Sequence, residues 1–135
     1  MFTEQQLTAA HSKVKTGADF PGYIREIKAL GLISYTFMVA DGTIIYNGAN
    51  GFELRSAAKY PSLSIYPHSS AGVLYYNITI HQQGQTDFLT FCKQAAQAGV
   101  EKWVVDTQTM LCTYYDVAGN QMLAEPIPQD DYMPE

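Results

Sequence analysis

Apolar residues recur at helical spacing in two separate stretches of this chain. Phe20, Tyr23, Ile24, Ile27 and Leu30 form one stripe, and Phe88, Phe91, Cys92, Ala95 and Ala98 form the other, with Lys93 and Gln94 pointing away. A glycine follows each stripe, Gly31 or Gly99, where a left-handed residue commonly ends a helix. Beyond it the apolar period drops to two. Ile33, Tyr35, Phe37 and Val39 alternate in the first stretch, Trp103 and Val105 in the second, and this predicts strands with one buried face.

The two stretches read as copies of one unit. At an offset of 68, residues 18–46 overlay residues 86–114, pairing Asp19 with Asp87, Phe20 with Phe88, Gly31 with Gly99 and Tyr46 with Tyr114. Conservative pairs add weight: Tyr23 meets Phe91, Arg25 meets Lys93, and Tyr35 meets Trp103. Asp41-Gly42 predicts a two-residue type I′ hairpin into a strand over 43–47, because both residue types tolerate positive φ. Thr107-Gln108-Thr109 is a less typical turn in the same place. The polar turns Gly48-Ala49-Asn50-Gly51 and Asp116-Val117-Ala118-Gly119-Asn120 then return the chain into short third strands near 52–55 and 121–125.

Thr3 and Gln6 form a capping box that opens a first helix with a Leu7, Ala10, Val14 stripe. Its counterpart falls on 71–83, where Val73, Tyr75, Tyr76, Ile78 and Ile80 favour a strand by local propensity. The repeat predicts a helix there, and tertiary context often overrides propensity. The expected fold is α+β. A helix-helix-three-strand unit occurs twice about an approximate two-fold axis, with helices covering an antiparallel sheet. A half-unit this short is marginal alone, so residues 1–128 are expected to form a single domain of two repeats, about 1–56 and 71–127, joined by a linker over 57–70. Residues 129–135 read as a flexible acidic tail.

The net charge of −5 lacks the basic clusters that phosphate-backbone binding requires, so nucleic acid is not an expected partner. No apolar run reaches the roughly 18 residues of a membrane span. Met1-Phe2-Thr3-Glu4 does not resemble a secretion signal, and a cytoplasmic location is expected. Cys92 and Cys112 stand where the first copy has Ile24 and Ile44, which marks both as reduced core residues rather than a redox pair.

Candidate chemistry is sparse. His11 and His81 each end the first helix of a copy and precede the Asp-Phe pairs Asp19-Phe20 and Asp87-Phe88. A histidine beside an aspartate can act as a general base, and two such sets across a two-fold could line one cleft. The plainer reading gives every member a structural role, histidine at a helix C-terminus and aspartate as an N-cap. No metal-ligand spacing, phosphate loop or nucleophile elbow is present, so neither metal nor cofactor is expected. Tyr75, Tyr76 and Tyr115, with Tyr60 and Tyr66, occupy positions that need no burial, and tyrosine is favoured at contact surfaces.

The stretch from His81-Gln82-Gln83-Gly84 through Asp87-Phe88 to Tyr114-Tyr115-Asp116, the opening Ala10-His11-Ser12-Lys13 through Asp19-Phe20-Pro21, and the Gly48-Ala49-Asn50-Gly51 turn together resemble the bacterial YbcV-like family of uncharacterised proteins. The resemblance spans residues 1–128. It implies a small bacterial protein, sometimes carried in prophages and sometimes labelled a phage envelope protein, with no catalytic residues to transfer. The chain departs from that family at residues 72–80, apolar here and a charged helix in the family, which suits contact with a partner. The residues favour a small cytoplasmic binding or protein-interaction module, forming a homodimer or engaging another protein, over an enzyme. The alternative is a small enzyme with a His/Asp acid–base site between the repeats.

Overall fold

A computed structural model of the protein describes residues 2–15 and 19–127. The first repeat runs α1 (Glu4–His11), α2 (Phe20–Ala29), β1 (Leu32–Met38), β2 (Ile44–Gly48) and β3 (Glu53–Arg55). The second runs α3 (Ala71–Gln82), α4 (Phe88–Gln97), β4 (Val100–Asp106), β5 (Leu111–Asp116) and β6 (Gln121–Pro126). The expected capping box closes α1, with Gln6 N donating to Thr3 Oγ1 and Thr3 N donating to Gln6 Oε1. The apolar segment over 71–82 is helical as the repeat requires, started by Ser70 Oγ accepting from Val73 N.

The six strands form one antiparallel sheet in the order β3-β2-β1-β4-β5-β6, so the repeats join through β1 and β4 at its centre. Thr36 faces Val104 across this seam, and the two are repeat partners at the offset of 68. The pseudo-two-fold axis therefore passes between them. Val39 N donates to Glu101 O and Thr107 N donates to Ile33 O, a reciprocal pair under the same offset. Both β1 and β4 carry an irregularity after their first residue, between Leu32 and Ser34 and between Val100 and Lys102. Each irregularity turns the alternation so that Tyr35 and Phe37, and Trp103 and Val105, face the helices. The opposite face presents half-buried Thr36, Met38, Lys102 and Val104.

The hairpins differ from expectation. Met38 N donates to Thr43 O and Gly42 N to Met38 O, so the β1–β2 connection is a four-residue loop over 39–42 rather than a two-residue type I′ turn. Only Gly42 takes positive φ, at 78°, while the Asp41 carboxylate accepts from Thr43 N. Val39 decides the geometry: it is fully buried, so the loop must tuck a side chain inward before turning. The second copy does the same with Thr107, whose hydroxyl donates to Leu32 O at 2.7 Å, and places Met110 at φ 56° where the first has Gly42. The β2 strand accordingly starts at Ile44 rather than Thr43.

The core lies between the sheet and the helices and draws Ile24, Ile27, Phe37, Leu74, Val100 and Val105 into full or nearly full burial, each contributing roughly 1.5–3 kcal/mol. Cys92 and Cys112 are free and buried in it. The linker packs in extended form along the fold. Tyr60 Oη donates to Val39 O at 2.6 Å, Tyr66 N to Ala96 O, and Ser70 N to Ala98 O. The acidic tail lies outside the described residues.

Candidate functional site

Four repeat-related pairs, Phe20 with Phe88, Tyr23 with Phe91, Tyr35 with Trp103 and Ile44 with Cys112, line one cavity between the helices and the sheet. It therefore straddles the pseudo-two-fold axis. Its volume is about 70 Å³, and its partly exposed rim includes Gln82 and Pro126. The rings interlock: Phe88 meets Phe37 edge-on at 5.3 Å, and Tyr114 leans on Trp103 at 5.6 Å.

Both candidate histidines line this cavity. The last turn of α1 delivers His11, whose ring meets the edges of Tyr23 at 5.4 Å and Phe88 at 5.8 Å. The last turn of α3 delivers His81, stacked on Phe91 at 4.6 Å. Its Nδ1 lies 3.0 Å from the Thr86 carbonyl oxygen, which can only accept, so we assign the proton of the neutral ring to Nδ1 and leave Nε2 as an acceptor. Burial lowers both imidazole pKa values, with the charge of Lys59 adding to the effect at His11. The Thr86 hydrogen bond and Asp87 oppose it at His81.

The two aspartates do not line the cavity. Asp87 is an N-cap, with Oδ1 accepting from Thr90 N at 2.8 Å. Asp19 departs from its expected capping role: it makes no side-chain cap bond to α2, and its Oδ2 accepts from Lys15 N instead. Each carboxylate thus serves local backbone. Among the tyrosines, Tyr75 and Tyr76 stand exposed on the outer side of α3, at 56% and 62%. Tyr115 is half-buried on the far face of the sheet, with Lys102 Nζ 5.6 Å above its ring.

Sequence reasoning did not single out the rings of the cavity wall, because their spacing marks them as core. One signal was present. Position 23 is Tyr where the repeat has Phe91, so a hydroxyl enters the interior without a packing need. That hydroxyl is buried beside the Tyr46 phenol, and its pKa is raised by burial and by that neighbour. Burial likewise raises Tyr35 and Tyr114 and pushes the Cys112 thiol up to about 12. At neutral pH the wall holds phenols, a thiol and neutral imidazoles, with Glu125 as its carboxylate. Such a wall is mainly apolar with a few placed polar groups.

His11 also borders a more open groove of about 270 Å³ between α1 and the segment 56–59, together with Glu4, Thr8, Tyr46 and Lys59. No helix among the described residues is long and apolar enough to cross a membrane. No curated protein matches the chain. The family described as "Protein of unknown function (DUF1398)" matches residues 8–126, nearly the whole of the chain. The chain belongs to this family.

Proposed function

We propose that the protein is a small-molecule-binding module whose site is the aromatic cavity between the repeats. The observation that carries this reading is the lining itself, where rings from both repeats and both candidate imidazoles surround one partly open space. Binding sites of this kind are mainly apolar with a few placed polar groups. A thermal-unfolding screen of small fragments tests it, because a guest that binds only the folded chain raises its midpoint, by about 2.7 kcal/mol of stability at 100 times Kd. Stabilising fragments should lose their effect in Ile78→Phe and Cys112→Met, which fill the space from different walls. An empty screen, or hits untouched by both substitutions, rejects the reading.

An acid–base enzyme is the second reading, favoured by the convergence of His11 and His81 on one cavity. It would draw on the imidazoles alone, since Asp19 and Asp87 serve backbone. Turnover of a bound fragment that disappears in both His11→Gln and His81→Gln is its test. The protein-interaction reading rests on exposed Val73, Tyr75 and Tyr76. A solution mass of one chain, alone and with both tyrosines replaced by serine, rejects its homodimer version. The YbcV-like name and the prophage association belong to the same proposal, supported by the motifs around His81 and Gly48, and so does a cytoplasmic location, supported by the two free cysteines.

A further inference from the structure

Building on the cavity reading, we infer that the occupant is an alkylammonium head, the CH₂–NH₃⁺ end of a primary amine, held by the Glu125 carboxylate near the rim and by the rings behind it. Glu125 is the one acidic residue in the wall, and no lysine or arginine joins it there. It stands directly opposite Cys112 in the β5–β6 ladder, so the two side chains share the inner face of the sheet, with Cβ atoms about 4.5–5.5 Å apart. Its charge is felt in the interior, where it raises the pKa of both Cys112 and Tyr114. Local structure does not account for this acid. In the first repeat the residue opposite Ile44 is Ser56, whose amide donates to Ile44 O and whose hydroxyl accepts from Ile44 N, both at 2.9 Å. Glu125, in the corresponding place, makes no hydrogen bond or ion pair among the described residues. A half-buried carboxylate beside apolar rings is unfavourable until a counter-charge reaches it.

The rest of the wall favours a cation. Faces of tryptophan, tyrosine and phenylalanine rings attract positive charge, and Phe37, Phe88, Trp103 and Tyr114 all line the space. Burial keeps His11 and His81 neutral, so neither repels an ammonium. With its Nδ1 proton on the Thr86 carbonyl, His81 keeps a lone pair on Nε2 as a second acceptor. An anion would meet like charge at Glu125, and a neutral guest would leave that carboxylate uncompensated. Size follows from the volume. About 70 Å³ equals the share of two waters at roughly 30 Å³ each, which admits the terminal carbon and nitrogen of an amine while the remainder leaves by the rim at Gln82 and Pro126.

Methylammonium, methanol and formate are of similar size and differ in charge, which makes them the probes. Each is titrated at pH 7.5, with sodium chloride holding the ionic strength constant, onto the full chain, Glu125→Gln and Cys112→Met, reading the Trp103 indole and the Phe37 amide by NMR. Methylammonium should bind the unmodified chain in the millimolar range, the ceiling for so few atoms. Its affinity should exceed that of methanol or formate about tenfold, the margin of a hydrogen bond between charged groups. Glu125→Gln should remove that margin, and Cys112→Met, which fills the space and leaves the carboxylate in place, should abolish the Trp103 shift. If the three probes bind alike, or the margin survives in Glu125→Gln, the inference falls and the cavity reading stands. Methylammonium shifts that persist in Cys112→Met denote an ion pair at the surface and overturn it as well. If no probe perturbs Trp103, the inference falls and the fragment screen alone decides the cavity reading. Ile78→Phe takes the place of Cys112→Met should the latter fold poorly. Butylammonium and Nα-acetyl-lysine amide carry the same head on a free chain and on a peptide, and the tighter of the two names the source of the amine.

Discussion

Phe37 and Trp103 lie face to face, with 4.3 Å between ring centroids and 8° between planes, at directly paired positions of β1 and β4. The repeat-equivalent pair across the same seam is Tyr35 with Val105, which has only one ring. The stack is therefore a one-sided clasp between the halves. Trp103→Ala should lower stability by about 3–5 kcal/mol. A double-mutant cycle of Phe37→Leu and Trp103→Leu should give a coupling of about 0.5–1.5 kcal/mol, read from urea unfolding. Simple additivity of the two substitutions would deny the clasp.

Gly31 and Gly99 end equivalent helices with φ of 103° and 90°, yet their surroundings differ. A Cβ on Gly31 meets nothing within 4 Å, whereas one on Gly99 would sit 2.6 Å from Ser69 Cα in the linker backbone. Gly31→Ala should cost only the left-handed penalty, about 1–2 kcal/mol. Gly99→Ala adds a clash with backbone and should cost at least 1 kcal/mol more. Equal costs in parallel urea melts would mean that the linker yields freely.

Stability should fall with acid in two steps. Burial lowers the folded-state pKa of His11 and His81 below 6.5, so below that pH the unfolded chain takes up protons that the folded chain refuses. Their contribution is complete above about pH 6.5 and declines as the pH drops toward the lowered values. Asp41, Asp87 and Asp116 are depressed below 3.8 by hydrogen bonds from Thr43, Thr90 and Asn120, so their share is lost only at more acid pH. Urea midpoints at pH 7.5 and 5.5 should differ in the unmodified chain and move less in His11→Phe and in His81→Phe. A midpoint flat across that interval contradicts the burial of the imidazoles.

Both thiols should be silent in the folded state. Burial pushes Cys92 and Cys112 up to about 12, leaving almost no thiolate at neutral pH. Alkylation at pH 7.5 should be slow at both and become fast together in denaturant, as followed by mass spectrometry. Rapid native labelling of Cys112 would show that reagent enters through the cavity it lines.

The repeat made most of this fold readable. It placed a helix over Val73–Ile80 against local β propensity, because a seam shared by two copies binds each to the other's topology. The loops resisted. Asp41-Gly42 carries a hairpin signature, but the signature is blind to Val39, whose burial lengthens the turn. Alignment of Gly42 with Met110 contained the hint, since a methionine is disfavoured at the second, positive-φ position of a type I′ turn. At the site, the histidines were found by position alone, while their aspartates were already committed to backbone amides, which spacing does not reveal. The cavity wall was hidden for the opposite reason, as rings that enclose a void have the same periodicity as rings that fill one.

The register between β1 and β4 maps onto itself when the halves are exchanged, because Thr36 and Val104 oppose each other at corresponding positions. Whatever edge β4 offers β1, a second β1 could offer in nearly the same geometry. Two chains that open along 57–70 can therefore trade halves without inventing a new contact, and a polypeptide carrying only residues 1–56 has a ready template for pairing with its twin. The central seam is at once the strand pairing that joins the two halves of one molecule and the natural place for two molecules to become entangled.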